Sequence, residues 1–285
     1  MTSLSNAMTV DVEDYFQVQG FAHCIDRSNW DAFPRRVDLN TNRILEQFQS
    51  AEVKATFFTL GWVAQRFPAL IRRIVADGHE LASHGWDHTR ADSQDPDGFR
   101  SDVGRTKALL EDTGGVSVSG YRAATFSVGA RNMWVFPILR QEGYAYSSSI
   151  NPIRHDLYGM PDAPRSPFRP DPDGVVELPM TTVRLMGRNW PCSGGGYFRL
   201  LPTALYRAGL ERVNHHDRRP GIFYFHPWEI DPDQPRISNA SWKSRLRHYT
   251  NLSGMTAAVD GLLRDFAWDR MDRVYARVVA ETVLA

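Results

Sequence analysis

Two periods of apolar residues alternate along this chain. Short runs rich in β-branched and aromatic residues read as buried strands: Met8-Thr9-Val10, Ala55–Leu60, His79–Ser83, Val118–Ala123, Ala145–Ser148, Val175–Met180 and Gly221–His226. The second run, Ala55-Thr56-Phe57-Phe58-Thr59-Leu60, is the clearest and is stopped by Gly61. Between the runs the period changes to that of a helix. Ile44, Leu45 and Phe48 share a face over Asn40–Ser50, with Asn40 or Thr41 as the cap. Pro68 opens a helix that turns Leu70, Ile71, Ile74 and Val75 inward and closes at Gly78. Further helices are expected from Pro96 to Thr113, capped by Ser93 or Asp95, over Asn132–Glu142, where Pro137 kinks or shortens it, and over Pro202–His215. Ser241–Ala285 is largely helical by period. Ile150–Gly174, rich in Pro, Asp and Arg, reads as a long ordered loop, and loops of that size usually serve a function.

Strands alternating with helices predict a parallel α/β architecture, either a barrel or an open sheet. Ligands in such folds bind at the C-terminal ends of the strands. Asp11, His84, Arg122 and His226 each fall at such an end, so one shared site is expected. No repeat or low-complexity linker divides the chain, and residues 1–285 are read as a single domain.

Composition narrows the classes. Lys+Arg and Asp+Glu are both 33, so no net field draws the chain to nucleic acid or to a membrane. Aromatic residues make up 12%, with eight Trp, which suits a surface on which sugar faces stack. Cys24 and Cys192 lie in no Cys-x-x-Cys pattern, against a thiolate metal site. The start, Met1 to Met8, has neither a basic region nor an apolar core, and no apolar run reaches the ~18 residues of a membrane span. A cytoplasmic protein is expected.

The candidate chemistry centres on His84-Gly85-Trp86-Asp87-His88. Histidines four apart on one face of a helical turn can reach one metal ion. A carboxylate from Asp11-Val12-Glu13-Asp14 would complete two imidazoles and one carboxylate, with positions left open for water. Zinc so held lowers the pKa of a bound water to about 7. A zincin protease is excluded, because Gly85 follows His84 where that motif carries glutamate.

Four motifs in order resemble the polysaccharide deacetylases of the NodB homology type, carbohydrate esterase family four. Thr9-Val10-Asp11-Val12-Glu13-Asp14 is similar to that family's Thr-Phe-Asp-Asp. Gly78-His79-Glu80-Leu81-Ala82-Ser83-His84-Gly85-Trp86-Asp87-His88 resembles its Gly-His-Glu and His-Ser/Thr-x-x-His, Gly120–Phe126 its Arg-x-Pro-Tyr/Phe, and Phe223-Tyr224-Phe225-His226 its Leu-x-His. The likeness covers roughly residues 8 to 230. Asp11-Val12-Glu13-Asp14-Tyr15-Phe16, Pro152–Gly159 and Gly194–Phe198 further resemble the branch encoded with exosortase-linked exopolysaccharide gene clusters, with a C-terminal extension from about residue 187.

The resemblance implies a distorted (β/α)7 barrel that binds a divalent metal, zinc first and cobalt or nickel next. Its substrate would be an N-acetylated glycan. Asp11 would be the general base, His226 the general acid and Arg122 the partner that holds Asp11, through a contact suited to two parallel hydrogen bonds. His84 and His88 would be metal ligands, and Tyr15, Trp86, Phe126, His155 and Trp228 substrate contacts. Val12 stands where the family has its metal aspartate, so the carboxylate ligand is Glu13 or Asp14. A shared strand face favours Glu13, and a bulge favours Asp14. Arg122 is followed by Ala123-Ala124-Thr125 without proline, and the family's Asp-x-x-Asp-Trp motif is absent, leaving Arg154, His155 and Asp156 as candidates to tune His226. Alternative functions are cleavage of another amide or an O-acetyl ester, and a catalytically dead sugar-binding protein.

Overall fold

The computed structural model describes residues 4–283. Its centre is β1, Asn6–Val12, all seven residues buried. A strand covered on both faces is what a parallel sheet with helices outside requires. β1 pairs in parallel with β2 (Thr56–Thr59) along Thr9–Val12 and with β9 (Ile222–Phe225) along Ala7–Val10. The sheet continues from β2 through β3 (Glu80–Ser83), β4 (Gly120–Tyr121) and β5 (Tyr146–Ser147) to β6 (Val176–Glu177). These seven parallel strands curl into a distorted (β/α)7 barrel that is not closed, since β6 and β9 do not pair. At the gap Thr181 Oγ1 accepts the N–H of Ile222 at 2.6 Å.

The period of two sorts side chains between two cores. Phe58, Tyr146, Val176, Ile222 and Tyr224 fill the barrel, whereas Phe57, Phe223 and Phe225 face the surrounding helices. The helices α1 (Val37–Ser50), α2 (Gly61–Arg66), α3 (Pro68–Ala76), α4 (Pro96–Gly114) and α5 (Val135–Gln141) follow successive strands. α6 (Gly195–Leu200), α7 (Thr203–Glu211), α8 (Trp242–Tyr249), α9 (Leu252–Asp265), α10 (Met271–Val274) and α11 (Ala276–Val283) complete the set. Among the described residues no helix is long and apolar enough to cross a membrane.

Several elements differ from the sequence expectation. α1 begins at Val37 rather than Asn40, because its first N–H groups are capped from outside the helix by Asp14. Asn40 turns instead to Asp231. Gly61 opens a helix rather than only ending a strand, and the Trp86 ring packs where its Cβ would be, 2.5 Å away. Pro137 lies in the first turn of α5, where no N–H is needed; the helix starts three residues late instead of kinking. β4, β5 and β6 keep only two paired residues each, and the stretch after β6 forms a hairpin, β7 (Thr182–Leu185) with β8 (Arg188–Pro191). The C-terminal region carries a strand, β10 (Trp268–Asp269), beside Asn6 and Ala7 of β1; the last residues of the expected helical stretch, 284–285, lie outside those described.

The foot of the barrel is tied by His79 and Glu80. His79 Nδ1 accepts the Ala55 N–H at 3.0 Å, and Glu80 accepts from Thr56 Oγ1, the Tyr146 hydroxyl and the Asp272 N–H at 2.5, 2.8 and 3.1 Å. Burial, with Asp272 nearby, pushes the Glu80 carboxyl up to about 7. The unfolded chain therefore releases this proton near the ordinary 4.5 while the folded chain keeps it, so stability falls as pH rises from about 4.5 to 7. Glu80→Gln should flatten that fall: thermal unfolding at pH 5 and pH 8 should show a smaller difference in Tm for the variant than for the wild type.

Candidate metal centre and active site

β1 delivers Asp11 and Glu13 to the C-terminal mouth of the barrel. Val12 between them is fully buried in the helix-facing core, so no ligand can stand there. After the strand ends, the Glu13 N–H donates to the Asp11 carbonyl at 3.1 Å, a tight turn that keeps the two carboxylates on one side. Asp14 points away. Its carboxylate accepts the N–H groups of Tyr15, Arg36 and Val37 at 2.9, 2.8 and 3.0 Å, and burial pushes it up to about 6.

His84 follows β3, its N–H bonded to the Thr59 carbonyl at 3.0 Å. The histidine pair does not sit on a helical turn as the spacing suggested. Gly85 and His88 both have positive φ, +76° and +58°, and the segment is a loop. Asp102 of α4 holds this loop by accepting the Trp86 N–H at 3.1 Å, and Arg27 holds it by donating to the carbonyls of Asp87 and His88.

The donor atoms of Glu13, His84 and His88 lie within 4.8 Å of one another, all buried. His84 Nδ1 is 2.9 Å from the Arg122 carbonyl, so it carries the proton and Nε2 keeps its lone pair. Burial holds His84 at about 4, neutral at physiological pH. Glu13 Oε2 is 2.9 Å from His88 Nε2, yet it is buried without an aligned hydrogen bond. Burial raises the Glu13 carboxyl, but His88, His226 and His84 outweigh it and bring it to about 2. An ionised carboxylate with an orphaned oxygen beside two imidazoles fits a divalent cation of the zinc, cobalt or nickel type.

Two further groups flank this cluster. Arg122 Nη1 donates to Asp11 Oδ1 at 2.6 Å. The expected pair of parallel hydrogen bonds does not form, because Nη2 is directed to Ser148 Oγ at 3.2 Å. The proline missing after Arg122 is replaced by a turn in which Thr125 and Phe126 take positive φ. On the other side, His226 Nε2 lies 3.6 Å from Glu13 Oε1 and 4.0 Å from Asp11 Oδ2. Its Nδ1 is 2.7 Å from Glu229 Oε1, and Glu229 Oε2 accepts from Arg199 Nε at 2.7 Å. Burial lowers His226, but Glu229, Glu13 and Asp11 together raise it to about 9.

Glu229 and Arg199 were not among the residues expected. Glu229 stands three positions after His226 in a capping-box spacing, which was a usable signal. Arg199, on α6, had none. Arg154, His155 and Asp156 do not take the tuning place: His155 pairs with Asp156 at 3.2 Å and Asp156 with Arg247. Of the aromatic residues expected to meet substrate, Tyr15 is fully buried, and Trp228 is stacked between His226 and His248, with both ring faces covered. Phe126 is buried against Tyr224 and Tyr158. Trp86 is half-buried with Arg105 over its ring, and His155 is half-buried and stacked on Tyr158 at 4.0 Å.

Residues 28–147 match the polysaccharide deacetylase family model. This match stops short of half the chain, so it is a likeness of the N-terminal part to that family. Residues 148–276 match a domain of unknown function (DUF3473). A peptidoglycan-N-acetylglucosamine deacetylase of Bacillus cereus is 34% identical over 70 residues, 25% of this chain and 26% of that protein. A chitooligosaccharide deacetylase of Rhizobium leguminosarum bv. trifolii is 26% identical over 50% of this chain and 60% of its own length. This chain thus spans about a quarter of the Bacillus cereus relative. In structure, a Mycobacterium smegmatis protein assigned as a polysaccharide deacetylase superposes with a TM-score of 0.64 at 20% identity, over 97% of this chain and 92% of the other. Puue allantoinase gives 0.58 at 16% identity, over 97% and 90%. These two likenesses place this chain in their fold.

Asp14 secures three backbone N–H groups, so Asp14→Ala should lower stability by about 2–3 kcal/mol through the lost cap and the donors left unpaired. Urea denaturation, read as a lower midpoint at unchanged m-value, measures this.

Proposed function

We propose that this chain is a metal-dependent hydrolase that removes N-acetyl groups from N-acetylhexosamine units of a bacterial exopolysaccharide or its precursor. One observation carries the reading. A buried Glu13–His84–His88 donor cluster lies between a carboxylate fixed by a buried arginine and an imidazole fixed by a buried glutamate. The relatives from Bacillus cereus and Rhizobium leguminosarum are a peptidoglycan-N-acetylglucosamine deacetylase and a chitooligosaccharide deacetylase, which supports the same class of reaction.

A divalent cation held by Glu13, His84 and His88 would supply Lewis acidity toward the acetamide carbonyl and toward the attacking water. Asp11, oriented by Arg122, takes the proton from that water. His226 carries a proton at neutral pH and gives it to the departing amine, while Glu229 stabilises the charged ring and fixes its tautomer. Trp228 lies against the His226 ring at 5.1 Å and prevents it from tilting away. The substitution at Val12 does not weaken this reading, because Glu13 brings a carboxylate to the histidine pair.

Metal content is the first test. Wild-type protein should hold about one zinc, cobalt or nickel per chain; His84→Ala and Glu13→Ala should lose it, and Asp14→Ala should keep it. An absence of metal in the wild type after incubation with zinc would sink the mechanism. Acetate release from N-acetylglucosamine oligomers should fall about 100-fold or more in Asp11→Asn and in His226→Ala, with metal retained. Release from O-acetylated and not from N-acetylated oligomers would move the reading to an esterase.

A further inference from the structure

A second concave surface lies beside the catalytic mouth, built from the long loop after β5 and from the β7–β8 hairpin. It is a groove of about 1030 Å³. Asn189 of β8 donates to the carbonyls of Pro152 and Pro161 at 2.9 and 3.4 Å, so hairpin and loop are fastened together and the groove is walled by ordered backbone. Its charge is one-sided. Arg154, Arg184 and Arg188 line it, all exposed, and none pairs with a carboxylate among the described residues. Arg165, also in the lining, is neutralised by Asp217 at 2.7 Å, and Asp162 is the acid that the groove contains. In a chain whose formal charge is zero, three such guanidinium groups along one groove give it a local excess of positive charge.

The apolar lining points to the same class of ligand. Trp190 is 55% exposed on the hairpin, its indole lying in the groove wall. Tyr197 lines the inner end, and its ring is 6.4 Å from that of His155, which stacks on Tyr158. All three are half-buried. Tyr158 meets Phe126, Phe126 meets Tyr224, and Tyr224 lies 5.8 Å from His226. Three partly open rings, Tyr197, His155 and Tyr158, thus stand at the inner end of the arginine-lined groove, and the buried Phe126 and Tyr224 fill the space between them and His226. Flat rings bind the apolar faces of pyranoses, and unpaired arginines bind carboxylates.

We infer that the groove between the β7–β8 hairpin and the 150–174 loop is a distal subsite for an acidic glycan chain, one bearing carboxylate groups on sugars neighbouring the N-acetylhexosamine. The inference rests on the deacetylase reading for the orientation of the chain, but the binding itself does not depend on catalysis. Arg154, Arg184 and Arg188 neutralise the acid groups, Trp190 stacks on a sugar face, and Tyr197, His155 and Tyr158 guide the chain inward.

The test compares two probes on the full chain by calorimetry: a hyaluronan octasaccharide, which alternates carboxylated and N-acetylated sugars, and neutral N-acetylchitohexaose. The acidic probe should bind about ten-fold more tightly at low salt, as a few exposed charge pairs would give, and the preference should shrink as salt is raised. The Arg154→Ala/Arg184→Ala/Arg188→Ala variant, altered only at exposed side chains, should lose the preference and keep both its affinity for the neutral probe and its acetate release from it. Equal binding of the two probes, or a preference that survives in the variant, would overturn the inference. So would sedimentation with phosphatidylglycerol vesicles that is abolished by Met186→Ser at the exposed hairpin tip without any glycan preference, which would assign this face to a lipid surface. An acidic preference without acetate release from either probe would retain the subsite and sink the deacetylase reading instead.

Discussion

A guanidinium with no exposed surface must find a counter-charge and an acceptor for every N–H, or the fold cannot keep it. Arg122 meets this condition at the mouth of the barrel. Nε donates to the Ser148 carbonyl, Nη1 to Thr9 Oγ1 and Asp11 Oδ1, and Nη2 to Ser148 Oγ with Met180 Sδ at 3.9 Å. The two hydroxyls are themselves oriented, since Thr9 donates to the Phe223 carbonyl and Ser148 to the Leu178 carbonyl. Below, the Phe58 ring lies 4.0 Å from the guanidinium carbon. Five strands thus contribute to, or flank, the seat of one side chain. The same residue fixes a candidate ligand through its backbone, because its carbonyl selects the His84 tautomer. Asp11 and His84 are positioned by opposite ends of one arginine.

A second buried relay repeats the logic on the other side of the cluster. Arg199 neutralises Glu229, Glu229 raises His226, and the carbonyls of Arg247, His248 and Thr250 take three further N–H groups of Arg199. Those carbonyls belong to the last turn of α8 and to its C-cap, Thr250, where a cation is favoured. The segment from α8 onward therefore holds the Arg199–Glu229–His226 relay in place beside the cluster. β10 and the Glu80–Asp272 contact tie the same segment to the foot of the barrel. Both ends of the barrel depend on chain that follows the last core strand.

The local elements were legible where one local signal decided them. Pro96 with Asp95 opened α4 where the cap predicted, and the Phe57-Phe58 run formed β2. The reading failed where the deciding partner was distant. α1 starts early because a carboxylate 22 residues upstream caps it. The His84/His88 pair is in place, but its loop geometry comes from Gly85, Asp102 and Arg27 rather than from helical spacing. Tyr15 and Trp228 lie near the site in sequence and beside it in space, but their faces are spent on packing.

By itself the sequence determined the alternation of strand and helix, and with it a parallel α/β fold, barrel or open sheet, that gathers Asp11, His84, Arg122 and His226 at strand ends. This follows because hydrophobic period and turn residues are local, and because side-chain chemistry at a strand end needs no further information. Tertiary structure alone decided which acid of Asp11-Val12-Glu13-Asp14 turns toward the histidines. The tight turn after β1 keeps Glu13 beside Asp11, while the open N-terminus of α1 captures Asp14. It also decided that Glu229 and Arg199 hold His226. These choices depend on unsatisfied donors and buried charges brought together across 20 to 30 residues, and no local pattern encodes where such groups will meet.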